Sequence, residues 1–226
     1  QASKRPKDLN QPAQRLAPKA YQQILELILS SEVEPGEYLN ERHLADILGM
    51  SRTPVRDALL MLESEGLIVR VGRLGVQIKQ MRIEEFLDAL EVRKLLEPTI
   101  CQIAAGRVNC NALKELEIAL SDALKMISTS GDGLDRATTR WIDDTLHSLI
   151  ADTAGNAQLS AIVMNMRRKT QIFDLKTLPE RAEASCKEHL EIISALRDGD
   201  GEKAKNKMKE HLDQIRTSII TRLSRP

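Results

Sequence analysis

The sequence predicts a mainly α-helical chain: an N-terminal winged helix-turn-helix with a small β-hairpin, then an antiparallel all-α bundle of about six helices. Three observations carry that reading. Residues 40–66, NERHLADILGMSRTPVRDALLMLESEG, read as two short helices broken at Gly49 and Met50. Two β-rich runs, Leu67 to Val71 and Val76 to Ile78, flank the glycine-bounded stretch from Gly72 to Gly75. From Ile83 onward, apolar residues recur at three- and four-residue spacing, and no strand-period run interrupts them.

Taken in order, the chain opens on a polar stretch, 1–17, with Pro6 and Pro12 among Lys4, Arg5, Lys7 and Arg15. A flexible arm is expected there. The winged helix-turn-helix then occupies 18–79. Tyr21, Ile24, Leu25 and Ile28 mark a supporting helix that ends before a turn at Pro35 and Gly36. Asn40 and Ser51 each stand just ahead of an apolar-periodic run, where a side-chain oxygen can accept from an otherwise unpaired helical N–H. Pro54 falls in the first turn of the second helix, where the amide it lacks had no intrahelical partner. Leu44, Ile47 and Leu48 on one helix and Val55, Ala58, Leu59 and Leu62 on the next are expected to form one buried seam.

After a short polar linker, Lys79 to Arg82, six helical patterns fill 83–226. Leu87, Leu90, Val92, Leu95 and Leu96 open the first, which reaches the Gly106 region. The second runs through Leu113, Leu116, Ile118, Leu120 and Leu124 and stops at Gly131 to Gly133. Trp141, Ile142, Leu146 and Ile150 mark the third, ended by Gly155 and Asn156. Leu159, Ile162, Val163 and Met166 begin the fourth, Leu190, Ile193 and Leu196 close the fifth before Gly199, and Met208, Leu212, Ile215 and Ile219 stripe the last.

Composition agrees with two modest helical domains. The 226 residues are 42% hydrophobic, enough to give each domain a core. Only 2% are aromatic, which suits helix packing and leaves few rings for stacking single-stranded bases. A formal net charge of +0 excludes a polybasic coat, so any DNA binding must come from a local patch such as Arg52, Arg56, Arg70 and Arg73. No apolar run approaches a membrane span and no charged-then-apolar leader opens the chain, so a cytoplasmic location is expected. Cys101, Cys110 and Cys186 are odd in number and scattered, and are read as buried free thiols of a reducing compartment.

Arg52, Thr53 and Arg56 lie off the seam. Arg52 and Arg56 are four apart, so both project from one side of the second helix, where a recognition helix meets base edges and phosphates. The competing reading is a solvated helix face. At this point the stretch resembles the DNA-binding domain of GntR-family transcriptional regulators, through Pro35, Gly36, Leu39, Glu41, Leu44, Ala45, Leu48, Gly49, Ser51, Arg52, Thr53, Pro54, Val55, Arg56, Ala58, Leu59, Leu62, Gly66 and Gly75. Acidic Glu32 and Glu34 ahead of Pro35 depart from the pattern. The resemblance implies a homodimer on an inverted-repeat operator of double-stranded DNA. Arg42, Ser51, Arg52, Thr53, Arg56, Arg73 and Gly75 are the expected DNA-binding residues.

Three of the four histidines, His147, His189 and His211, fall on inward faces of the C-terminal helices. Asp143 and His147 are four apart, the spacing at which one helix offers two ligands to one ion. Neutral buried imidazoles need partners, and a metal ion uses three at once. This half resembles the FadR C-terminal (FCD) domain over about 83–223. Asp143, Leu146, His147, the Ala154–Gly155–Asn156 turn, Glu188, His189, Ile192, Ala195, Asp198, Ala204, His211 and Leu212 carry the likeness. The resemblance implies an effector-binding and dimerisation domain over 83–226, with Asp143, His147, His189 and His211 holding a divalent cation. Zn, Ni, Mn and Fe all remain open.

Arg93 stands where that family often has an arginine facing the effector cavity, with a surface salt bridge to Glu91 or Glu97 as the alternative. Arg167 and Arg168 are further candidates for the cavity rim. The leading expectation is a regulator whose operator affinity a small organic acid modulates at the metal. A metalloenzyme and a metal sensor without organic effector are the competing readings. Glu188 adjoins His189, but neighbouring helical residues point about 100° apart, so no general base faces the same ion, which weighs against the enzyme.

Overall fold

The computed structural model describes residues 11–30, 33, 36–72, 75–130, 135–174 and 181–224. The chain divides into two compact units, 1–80 and 81–226. The first holds α1 (Gln11–Leu29), β1 (Tyr38–Leu39), α2 (Glu41–Leu48), α3 (Arg52–Ser64), β2 (Ile68–Arg70) and β3 (Val76–Ile78). The second holds α4 (Ile83–Ala104), α5 (Cys110–Ser130), α6 (Arg136–Thr153), α7 (Ala157–Asp174), α8 (Ala182–Asp198) and α9 (Gly201–Leu223). The predicted class, a winged helix-turn-helix followed by an all-helical domain, is the observed one.

In the first unit α1 packs chiefly on α3, burying Ala20, Ile24 and Ile28 on one side and Val55, Ala58 and Leu62 on the other. α1 begins at Gln11 and continues through Pro18, forgoing one amide bond, because the helix packs from Ala17 onward. The arm expected over 1–17 is therefore helical from Gln11, and its earlier part lies outside the described residues, as do Glu32, Glu34, Pro35 and Arg73. Asn40 caps α2 by accepting from the Arg42 and His43 amides at 2.8 and 3.3 Å. Gly49 stops it in the left-handed region at φ 61°, with the Met50 amide donating to Ala45 O and the Gly49 amide to Asp46 O.

Two local expectations need correction. Ser51 opens α3 from an extended backbone, but its side chain makes no cap bond. Ile47 is exposed, at 56%: the buried face of this eight-residue helix centres on Leu44 and Ala45, from which Ile47 is rotated away. The wing is a three-stranded antiparallel sheet of order β1-β3-β2, with Leu39 opposite Val76 and Ile68 opposite Ile78. A two-residue strand is too short to show periodicity, so β1 went unread.

α4 is the axis of the second unit. It packs mainly on α9 and α7, with further contact to α6 and α8. Phe86, Leu90, Ile100, Leu116, Leu120, Leu146, Ile150, Ile192, Ile193, Leu196, Met208 and Leu212 build the core. Leu95, Ile118, Trp141 and Ile162 fit the helical stripes yet stand exposed at 67, 63, 55 and 45%. Cys101 and Cys186 are buried free thiols, and burial pushes the Cys101 thiol up to about 12; Cys110, at the start of α5, is exposed, contrary to expectation. The C-terminal ends of α4 and α8 meet at two left-handed glycines. The Gly106 amide donates to Leu196 O at 2.9 Å, and a Cβ on Gly106 would stand 3.3 Å from the Gly199 Cα. Among the described residues no helix is long and apolar enough to cross a membrane.

Gly75 lies at φ 118°, and a Cβ there would stand 2.7 Å from the Leu39 carbonyl oxygen. Gly72 is also at positive φ but has open space around it. Gly75→Ala is expected to destabilise the first unit by about 1–3 kcal/mol and Gly72→Ala by less, measured by urea unfolding. Equal losses would show that backbone conformation alone, not the approach to β1, sets the requirement.

Candidate metal centre and nucleic-acid interface

Three helices meet at the histidines. α6 brings Asp143 and His147 one turn apart, α8 brings His189 and α9 brings His211. One ligand atom from each of the four lies within 4.8 Å of all the others. Asp143 Oδ1 is 3.7 Å from His147 Nε2 and 3.5 Å from His189 Nε2. The rings pack against one another with centroids 4.7–5.7 Å apart. All three are at most 3% exposed, and Asp143 is half-buried.

The hydrogen bonding is one-sided. His147 Nδ1 donates to Glu97 Oε2 and His211 Nδ1 donates to Glu188 Oε2, both at 2.7 Å. A carboxylate only accepts, so each bond places the proton on Nδ1 and leaves a lone pair on Nε2. The Nε2 atoms of His147, His189 and His211 are buried and have no hydrogen-bond partner. Buried polar atoms left unpaired are costly, and three converging on one carboxylate fit a divalent ion. Burial, then the charge of Arg167, holds the His147 pKa below its ordinary value. Burial, then neighbouring histidines, does the same for His189 and His211, so all three favour the neutral, ligating form. For Asp143 burial opposes ionisation, but Arg167 and the nearby imidazoles outweigh it and keep the carboxylate charged.

Around this set runs a buried ionic network. Arg93 Nε donates to Glu97 Oε1 at 2.6 Å and Nη1 to Thr170 Oγ1 at 2.8 Å. Arg167, 1% exposed, donates through Nη2 to Asp143 Oδ2 at 2.5 Å and to Asp144 Oδ1 at 3.3 Å. Arg93 thus joins the same cluster as the four candidate ligands, paired with Glu97, but the pair is interior rather than superficial. Arg168 is only half-buried. Glu188 accepts from the histidine of another helix, His211, and Arg181 Nη2 holds it at 2.5 Å. Glu97 and Glu188 were not read as site residues, since their partners lie 50 and 23 positions away.

In the first unit, Arg42, Ser51, Arg52, Thr53 and Arg56 are all exposed. One carboxylate organises the two arginines of α3. Glu41, in the first turn of α2, accepts from Arg52 Nε at 3.1 Å and from Arg56 Nε and Nη2 at 3.2 and 3.1 Å. The Arg56 hydrogen bond, ahead of the other contacts, lowers the Glu41 pKa. Both guanidinium side chains remain open to solvent, at 62 and 57%. Arg70, on the wing, pairs with Glu63 at 3.3 Å, and Gly75 brings the wing backbone against β1.

Two family descriptions match the chain: "Bacterial regulatory proteins, gntR family" over residues 16–78, and "FCD domain" over 88–214. The chain is 25% identical over 213 residues to the HTH-type transcriptional repressor RspR of Escherichia coli strain K12, covering 92% of this chain and 90% of RspR. It is 28% identical over 215 residues to the HTH-type transcriptional regulator LutR of Bacillus subtilis strain 168, covering 84 and 94%. Among solved structures, E. coli McbR/YncC shares the fold with a TM-score of 0.78 at 18% identity, covering 92% of this chain and 99% of that one. The chain therefore belongs to the GntR family, as a transcriptional regulator with a C-terminal FCD domain and not an enzyme.

Proposed function

We propose that the protein acts in the cytoplasm as a homodimer on an inverted-repeat DNA operator, and that a small organic acid bound at a divalent metal ion in the FCD domain modulates its operator affinity. The observation that carries the effector half is the convergence of three unpartnered imidazole nitrogens on Asp143. Asp143, His147, His189 and His211 hold the ion. A bound divalent cation supplies positive charge and coordination room for a carboxylate. Glu97 and Glu188 fix the tautomers of His147 and His211, and Arg93 carries the positive charge expected beside the acid. In the other half, Arg52 and Arg56 grip the operator, Arg42, Ser51, Thr53, Arg73 and Gly75 are the further DNA-binding residues, and Glu41 keeps the two guanidinium groups side by side.

Arg52→Ala and Arg56→Ala should each weaken binding to an operator selected from a random duplex library. A lost base contact costs roughly 1–3 kcal/mol and relaxes preference at one position, whereas a lost phosphate contact lowers the salt slope by about one unit. Titrations at two salt concentrations separate the two. Unchanged affinity in both variants would remove α3 as the reading helix. Glu41→Gln should broaden sequence preference more than it changes thermal stability.

Elemental analysis of protein prepared without chelator or histidine tag should find one Zn, Ni, Mn or Fe per chain, and His147→Ala should lose it. The folded imidazoles sit below the ordinary pKa of 6.5 while the unfolded chain returns to it. Below about pH 6.5 the unfolded state therefore binds more protons, and stability of the metal-free protein falls as pH drops. Metal affinity falls in the same direction, because protons compete for Nε2. No stoichiometric metal after reconstitution would defeat the assignment.

A carboxylate that binds the metal-loaded protein should shift operator affinity roughly 5–150-fold, a coupling of about 1–3 kcal/mol. Calorimetry with a carboxylate panel, followed by operator titration with the tightest binder, measures it. A tight ligand without effect on operator affinity would not be an effector.

A further inference from the structure

We infer that His189 is the ligand that closes last when the metal ion enters and opens first when it leaves, with Asp143, His147 and His211 forming a standing three-ligand seat. The inference rests on the metal reading above and concerns how the four side chains are held. A ligating imidazole ordinarily donates its second ring N–H to a carboxylate or carbonyl, and that outer bond fixes both the tautomer and the plane of the ring. Three of the four candidate ligands have an outer partner, and each partner is itself held by an opposite charge. Glu97 accepts from His147 Nδ1 and is gripped by Arg93 at 2.6 Å. Glu188 accepts from His211 Nδ1 and is gripped by Arg181, whose Nη1 also donates to Ser218 Oγ at 3.3 Å. Asp143 Oδ2 accepts from Arg167, which also reaches Asp144, and this leaves Oδ1 for the imidazole side.

His189 has no such brace. Among the described residues no hydrogen bond forms at either of its ring nitrogens. Within the cluster its Nε2 stands 3.5 Å from Asp143 Oδ1, and its ring lies against those of His147 and His211 with centroids 5.7 and 4.7 Å away. No acceptor among the described residues therefore selects one of its tautomers. With the proton on Nε2 the ring cannot ligate through that nitrogen, and turning the side chain breaks no hydrogen bond. Turning His147 or His211 breaks a charge-assisted bond and strands a carboxylate. The rings thus differ in freedom although all three are only 1–3% exposed. Their places on the helices turn that difference into an order. Asp143 and His147 lie on α6 and His211 on α9, so the braced seat joins two helices, and α8 contributes a ligand only as His189 closes.

The test uses Zn alone as the probe on the full-length protein, with thermal unfolding measured for every variant. In metal-free protein at about pH 8, where neutral imidazole predominates, proton–nitrogen correlation spectra should show His147 and His211 each as the single tautomer protonated on Nδ1, and His189 as an averaging mixture. His189→Ala should weaken Zn affinity and speed Zn release to a chelator by about tenfold, and His211→Ala by at least about tenfold more, because outer partners contribute about 10–100-fold to metal affinity. Glu188→Gln keeps the shape of the brace and removes its charge. It should speed Zn release by at least about tenfold and give His211 a mixed tautomer as well. A single fixed tautomer for His189, a loss in His189→Ala as large as that in His211→Ala, or unchanged Zn release in Glu188→Gln would each overturn the assignment. If His211→Ala does not fold, the spectra and Glu188→Gln decide. If the wild-type protein takes up no Zn or other divalent metal, the metal reading fails and this inference with it, whereas Zn uptake with a fixed His189 tautomer defeats this inference alone.

Discussion

The interior of the C-terminal unit depends on one buried carboxylate. Glu97 is 3% exposed at the middle of α4 and meets Arg93 on its own helix, His147 on α6 and, at longer range, Arg167 on α7. Burial alone would drive it to the neutral acid. The Arg93 charge, followed by His147 and Arg167, reverses that and holds the pKa far below the usual carboxylate range. An ion so placed is costly unless fully compensated, and removing any one partner strands the rest. Hence α4 carries charge on its interior face where an ordinary core helix carries leucine, and α6 and α7 both reach that charge.

Sequence patterning was most informative where the physics is local. The Asn40 cap, the Gly49 stop and the seam from Leu44 to Leu62 follow from spacing on one short segment, and all but Ile47 of that seam face inward. The four candidate ligands were equally legible, since Asp143 and His147 share a helix face and polar imidazoles among apolar neighbours are conspicuous. Glu97 and Glu188 were not. An acid on a helix is ordinarily solvated, and nothing within 50 residues of Glu97 announces that His147 will cover it. Arg93 fell between the two cases: the resemblance placed it facing a cavity and the alternative paired it with Glu91 or Glu97 at the surface, whereas it is both interior and paired with Glu97. Leu95, Ile118, Trp141 and Ile162 mark the opposite limit, because periodicity assigns a residue to a stripe without saying that another element covers it.

The N-terminal unit uses charge in another way. Its two α3 arginines share one carboxylate at the surface, where an isolated ion pair contributes only about 0–1 kcal/mol. The contribution of Glu41 is therefore one of shape. Two long side chains that would otherwise sample many rotamers are drawn to a common point, and the carboxylate consumes three guanidinium N–H groups of the ten they carry together. The remaining donors stay in solvent, already gathered.

The glycine contact between the turn after α4 and the end of α8 acts as a datum for α8. With the Gly106 amide bonded to Leu196 O and Gly106 against Gly199, the C-terminal end of α8 is pinned to the turn that follows α4. Counting back along α8 at about 1.5 Å per residue, His189 lies roughly 15 Å from that datum, so its height is set by the number of residues between it and Gly199. Axial register is thus inherited from chain length. One residue inserted between His189 and Gly199 would lift the imidazole by about 1.5 Å and swing it about 100° around α8, out of the cluster, with no side chain substituted.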